Sequence, residues 1–178
     1  MGRLSGRTAL VTGAARRVGR AIALDLAREG ADCLLHYNRS QGDLERTLDE
    51  CRALGVRAEG VRADLLDGAA LDRMIGELRE RGVDVLVHNA STFSRAPFLK
   101  EDAHVHREML RRDLAIHVEV PFYLGRTLGA DMAERGFGRI ILIGDWSADA
   151  AVYPNYPSYI VSKAAVGTLA KVLAVELG

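Results

Sequence analysis

Short β-rich apolar runs alternate along this chain with stretches in which apolar residues recur every three or four positions. That alternation predicts βαβ units and a parallel sheet covered on both faces. Residues 8–11, 31–37, 56–63, 83–88 and 139–143 read as strands. Between them, Val18, Ile22 and Leu26 share a helical stripe, as do Leu44, Leu48, Cys51 and Leu54, and again Leu71, Met74, Ile75 and Leu78. Gly30, Gly55 and Gly82 stand where the residue after a helix end turns left-handed. Residues 101–135 read as a longer helical region interrupted by Pro121, and 158–177 as a last helix. With right-handed crossovers, five such strands make an open, doubly wound α/β sheet of Rossmann type, whose ligand site lies beyond the strands' C-terminal ends.

Composition narrows this picture. The 178 residues, 48% of them hydrophobic, suit a single domain over 1–178. Lys plus Arg and Asp plus Glu both number 24, so no global field draws in nucleic acid or an anionic membrane, and phosphate recognition must be local. Cys33 and Cys51 lack metal-ligand spacing and read as buried free thiols, and no metal site is expected. No apolar run reaches signal-peptide or membrane-spanning length, which leads us to expect a cytoplasmic protein.

The informative residues follow the strands. After the first comes Thr12-Gly13-Ala14-Ala15-Arg16-Arg17-Val18-Gly19, where small residues let backbone approach a pyrophosphate placed on the next helix's N-terminus. An ordinary glycine-containing turn would look the same. After the second strand, Asn38-Arg39-Ser40 stands where an NAD-preferring fold offers a carboxylate. Arg39 can hold a 2′-phosphate in its planar fork and Ser40 can add a donor, which favours NADP(H), unless Arg39 is only a solvated surface charge. Asp64-Leu65 follows the third strand and Asn89-Ala90-Ser91 the fourth; caps or turns would use the same residues.

Tyr159 and Lys163, four apart, share one face of the last helix. A nearby ammonium favours the ionised phenol, so Lys163 is expected to make Tyr159 a usable proton donor and acceptor near neutral pH. Asp145, after the fifth strand, adds a third polar group, with Ser147 a rival for the same place.

Taken in order, the TGxxx turn, the NA segment and the YxxxK pair resemble the short-chain dehydrogenase/reductase family across the whole length. The resemblance implies that Tyr159 is the catalytic acid/base and that Lys163 lowers its pKa and holds the nicotinamide ribose. The family's serine position falls on Asp145. Three features resemble the pteridine reductases within that family: Arg17 in the TGAARRVG loop, the HYNRS segment, and Asn89 through Phe93. There the matching arginine contacts pyrophosphate and pterin, the aromatic stacks on the pterin, and an aspartate replaces the serine. That implies a substrate set of Arg17, Phe93, Asp145 and Tyr159. The family's helix asparagine falls on His117, which could serve a proton relay or only pack, and the first residue of its NNAG-like segment is His88. His104 and His106 face different sides of a helix, against a metal-ligand role.

Family members continue into a sixth strand, a substrate-covering segment and a seventh strand, so the sequence reads as C-terminally incomplete, without the last two strands and lid. The expectation is an NADP(H)-dependent reductase acting on a C=N or C=O group of a small molecule, pterin-like by preference, and a dimer or tetramer. A carbonyl reductase for oxoacyl, sugar or steroid substrates and a non-catalytic nucleotide-binding module are the alternatives.

Overall fold

Apolar runs too short for a helix and too dense to face water are best placed inside a sheet covered on both sides. In the computed structural model, which describes residues 2–150 and 153–178, β1 (Thr8–Val11), β2 (Asp32–Tyr37) and β4 (Val85–His88) occupy that position and are almost wholly buried. β3 (Ala58–Arg62) and β5 (Arg139–Leu142) form the two edges and are more exposed. Every pairing is parallel and the order is β3-β2-β1-β4-β5. From β1 the chain steps outward through β2 to β3, then returns to the other side of β1 for β4 and β5. Connections from adjacent β1 and β4 therefore diverge to opposite faces and open a crevice at their C-terminal ends.

α1 (Arg17–Arg28) and α2 (Gln41–Ala53) pack with Leu35 and Val87 on one face. α3 (Gly68–Arg81) and α5 (Val120–Glu134) pack with Leu10 and Leu86 on the other. Leu10, Leu35 and Leu86 are fully buried, each contributing about 2 kcal/mol relative to exposure. α4 (Ala103–Leu114), the single turn α6 (Ser147–Ala150) and the long α7 (Pro157–Leu177) complete the chain. No helix among the described residues is long and apolar enough to cross a membrane. Cys33 and Cys51 are buried free thiols.

The five strands and most helices fall where the hydrophobic pattern places them, with strand ends a residue or two shorter. Gly30, Gly55 and Gly82 carry the positive φ expected after α1, α2 and α3. Two expectations change. α1 buries Gly19, Ala23, Leu24 and Ala27, whereas Val18 is 58% exposed and Ile22 and Leu26 are only partly buried. Small residues at every fourth position let α1 lie close to the sheet, which rotates the helix away from its most hydrophobic stripe.

Pro121 does not interrupt the long helical region either. Residues 103–134 run as one helix through a π turn at Ala115–Glu119, in which the Val120 N–H bonds to the Ala115 carbonyl five residues back. Pro121 lacks the N–H that this register would send to Ile116. The Ile116 carbonyl is thereby left to a partner outside the helix, and the His88 imidazole takes it at 2.9 Å.

Candidate active site

The crevice begins with a stitch between β1 and β4. The Thr12 hydroxyl oxygen accepts the Asn89 and Ala90 N–H groups, both at 3.0 Å, and stands 3.1 Å from His88 Nδ1. The Asn89 amide donates to the Thr12 and Gly13 carbonyls at 3.1 Å, so its side chain is committed to the scaffold. His36 reaches in from β2: Nδ1 accepts the Gly13 N–H at 3.2 Å and Nε2 donates to the Ala63 carbonyl at 3.1 Å. These side chains hold the turn open beside the sheet.

Two glycines make room for the approach. Gly13 has φ +64°, and a Cβ there would stand 3.0 Å from the Ala90 Cα. A Cβ on Gly19 would overlap the Gly13 carbonyl oxygen and lie 2.6 Å from the Asn89 amide nitrogen. α3 and α4 are capped by the Asp67 and Asp102 carboxylates, but Arg16 precedes α1 with no side-chain cap, and no carboxylate lies in its first turn. The Arg17, Val18 and Gly19 amides have no acceptor among the described residues. An uncapped helix N-terminus behind a glycine turn suits a pyrophosphate, so the residues present fit a dinucleotide. Arg17 itself holds a left-handed φ of 52°, a conformation that costs a non-glycine residue about 1–2 kcal/mol.

The crevice has a volume of about 780 Å³, and its walls include Gly13, Arg17, Val18, Gly19, Asn38, Arg39, Ser40, Asp64, Leu65, Asn89, Ala90 and Ser91. Every cofactor-contact position expected from the sequence outside α7 is therefore brought together. Arg39 is exposed and forms no ion pair among the described residues. The Ser40 hydroxyl leaves the α2 amides uncapped. Arg112 of α4 also lines the crevice and was not anticipated, because a surface arginine in mid-helix carries no sequence signal until the topology places it there.

At the β5 end, the Tyr159 hydroxyl donates to Asp145 Oδ2 at 2.6 Å, and the Ser147 N–H donates to Asp145 Oδ1 at 2.8 Å. Asp145 rather than Ser147 thus faces the phenol; the Ser147 hydroxyl is buried and has no partner among the described residues. Lys163 Nζ donates to the Ile143 carbonyl at 2.6 Å and lies 5.9 Å from the Tyr159 ring centre. This corrects the electrostatic expectation for Tyr159. Burial first, then the hydrogen bond to and charge of Asp145, push the phenol above its ordinary value. Burial pulls the Lys163 ammonium down, against the attraction of Asp145. The Asp145 carboxyl is raised by burial, but the Ser147 and Tyr159 hydrogen bonds and the Lys163 charge outweigh this and hold it below its usual range.

Phe93 is 56% exposed and so is no core residue. It stacks on Tyr156, with ring centres 4.2 Å apart and planes within 6°, and meets Tyr159 edge-on at 4.7 Å. Tyr153 and Trp146 extend the cluster. The loops that carry these rings are joined where the Ala96 N–H donates to the Asn155 carbonyl at 2.8 Å. Tyr156, Tyr153 and Trp146 were not singled out from the sequence; the only available signal was their density around Tyr159.

His117 sits in the π turn, 1% exposed, between Ser91 and Ser162 at 2.8 Å each. Burial, assisted by the Lys163 charge and by the neighbouring His88 imidazole, lowers its pKa to about 3. The imidazole is therefore neutral at physiological pH, not a group titrating near neutrality.

A family profile described as short chain dehydrogenase matches residues 7–178. A hydroxynaphthalene reductase-like protein of Metarhizium robertsii is 32% identical over 177 residues, covering 98% of this chain and 64% of its own length. An oxidoreductase of Salmonella typhimurium is 32% identical over 181 residues, covering 99% and 65%. The chain thus spans a little less than two thirds of these relatives. Among solved structures, a proposed NAD(P)-dependent gluconate 5-dehydrogenase from Beutenbergia cavernae, with NADP at low occupancy, has a TM-score of 0.86 at 37% identity over 97% of this chain and 67% of that one. An acetoin dehydrogenase from Enterobacter cloacae has a TM-score of 0.84 at 30% identity over 96% and 67%. The matched stretch takes in the glycine turn, the β4 exit and the Tyr159–Lys163 pair alike: the chain belongs to the short-chain dehydrogenase family.

Proposed function

We propose that this chain carries the cofactor site and catalytic groups of an NADPH-dependent reductase that acts on a C=N or C=O group in a flat ring, with a dihydropterin as the preferred substrate class. The observation that carries the reading is the Tyr159–Asp145 hydrogen bond, placed beside an exposed Phe93 that directly follows Thr92 in the wall of a dinucleotide-sized crevice. Arg39 and Ser40 would hold the 2′-phosphate, and the α1 amides and Arg17 the pyrophosphate. When bound, the nicotinamide supplies a hydride.

The chain's own groups do the rest. Tyr159 keeps its proton at neutral pH, because burial and Asp145 raise its pKa. It therefore donates only as hydride arrival makes the substrate oxygen or nitrogen strongly basic. Lys163, 5.9 Å from the ring centre, offsets the charge left on the phenolate and would hold a ribose hydroxyl. Asp145 orients the phenol and offers a carboxylate oxygen to a ring N–H of the substrate. One face of Phe93 is covered by Tyr156, so a substrate ring would stack on the other, with about 0.5–1.5 kcal/mol beyond burial.

A second reading, reduction of a cyclic or acyclic ketone, is favoured by the hydroxynaphthalene reductase-like and acetoin dehydrogenase names among the similar proteins. NADPH consumption, followed by absorbance with a dihydropterin, a hydroxynaphthalenone and acetoin, separates the two. The pterin reading expects turnover of the dihydropterin, cut by about tenfold in Phe93→Ala. Turnover of acetoin alone, indifferent to Phe93→Ala, would replace it with the ketone reading.

A further inference from the structure

We propose that His117 is a positioning residue: held neutral in one tautomer by the π turn, it ties the loop that carries Phe93 to the helix that carries Tyr159. This rests on the reductase reading for its kinetic consequence, though not for its geometry.

The hydrogen-bond partners leave one arrangement. The Thr92 N–H can only donate, and it points at Nε2 at 3.3 Å, so Nε2 is an acceptor; the Ser91 hydroxyl, 3.2 Å from the Thr92 carbonyl, then turns its hydrogen to the nearer Nε2 at 2.8 Å. Ser162 has already donated its hydrogen to the Tyr159 carbonyl at 2.8 Å, so its oxygen accepts from Nδ1–H, also at 2.8 Å. Both nitrogens are therefore engaged by the uncharged ring, with no vacancy for a second proton. The ring stands edge-on to Tyr159, with centres 5.5 Å apart and planes at 87°.

The π turn is what aims His117 this way, since one residue extra in the turn re-registers the helix face. Four residues earlier, Asp113 accepts from the Thr92 hydroxyl, so the loop meets this face at two successive turns. Phe93 follows directly, and its ring contacts Tyr156 and Tyr159. His117 thus acts on the chemistry through the separation of the Phe93 loop and Tyr159. The charged neighbour Lys163 and the imidazole of His88 both oppose a proton on it, as does burial. A relay through this ring would have to break a contact to begin.

The two ends of the bridge can be cut separately. An asparagine nitrogen lies where Nδ1 does, so His117→Asn keeps the Ser162 contact and loses the loop. A glutamine oxygen lies where Nε2 does, so His117→Gln keeps the loop and loses Ser162. His117→Asn is expected to raise KM for the ring substrate by about five- to tenfold with kcat within about twofold. His117→Gln is expected to lower kcat by about five- to tenfold with KM nearly unchanged. Ser91→Ala and Ser162→Ala repeat the two cuts more gently should either histidine variant fail to fold. Long-range proton–nitrogen NMR of histidine-labelled wild-type protein, titrated from pH 8 to pH 5.5, should show Nδ1 protonated and Nε2 bare throughout. A charged ring or an Nε2–H tautomer in that range would overturn the proposal, as would a near-neutral limb in the wild-type rate profile that vanishes in His117→Gln. Absence of turnover on every substrate would defeat the reductase reading and leave the NMR result to decide this one.

Discussion

Tyr159 donates its phenolic hydrogen to Asp145 at 2.6 Å, while Lys163, four residues on, is committed to the Ile143 carbonyl at the same distance. Burial first and the carboxylate second, rather than the ammonium, therefore set the acidity of the phenol. Both raise its pKa. Reduction needs the protonated phenol, so its rate falls as pH rises past that pKa. Asp145→Asn removes the charge but not the burial, so the alkaline fall of kcat/KM is expected to move down by about one pH unit or more. A rate profile that does not move would show that Asp145 does not govern the proton.

Arg39→Asp should reverse the cofactor preference. Loss of a charge-assisted contact to the 2′-phosphate, with a like charge in its place, weakens NADPH by roughly 10- to 100-fold while NADH binding changes little. Calorimetric titration with the two nucleotides reads this directly. An unchanged ratio would make Arg39 a solvated surface charge.

Arg17 separates folding from binding. Its backbone sits at φ 52°, which glycine adopts freely. Arg17→Gly relieves that strain but loosens the unfolded chain, so thermal unfolding is expected to shift by less than about 1 kcal/mol in either direction. NADPH affinity is expected to fall by about tenfold or more. Unaltered affinity would remove Arg17 from the pyrophosphate site.

His36 and His88 predict a loss of stability in acid. Burial chiefly lowers each to about pH 4 in the folded chain, against an unfolded value near 6.5. Between those values the unfolded chain binds more protons. Stability is therefore complete above about pH 6.5 and declines toward pH 4, by on the order of a few kcal/mol for the pair. Melting temperatures measured from pH 7 to pH 4.5 should fall, less steeply in His88→Gln. A flat curve would contradict the buried neutral pairings.

What the sequence showed and what it hid divide along physical lines. β1 and β4 were legible because their unbroken apolar runs have no other use, and the residues after them because a doubly wound sheet gathers its strand ends. α1 was placed correctly but faced wrongly: Val18 is more hydrophobic than Gly19 or Ala23, yet close packing favours the small residues. The π turn was hidden because Pro121 announces only a missing hydrogen bond, not which register replaces it. The resemblance placed Asp145 in one site with Tyr159, but their hydrogen bond was not legible, since nothing local joins residues fourteen apart across a loop. The direction of the Tyr159 shift was missed because helix spacing shows that Lys163 is near without showing that a carbonyl claims it.

The most direct test of the central claim compares wild type with Tyr159→Phe, measuring NADPH affinity by calorimetry and NADPH consumption with a dihydropterin. A phenyl ring keeps the edge-on contact with Phe93 and loses only the hydroxyl. Affinity within about twofold and a rate lower by roughly 10²- to 10⁴-fold are expected. Equal turnover by the two proteins would contradict it.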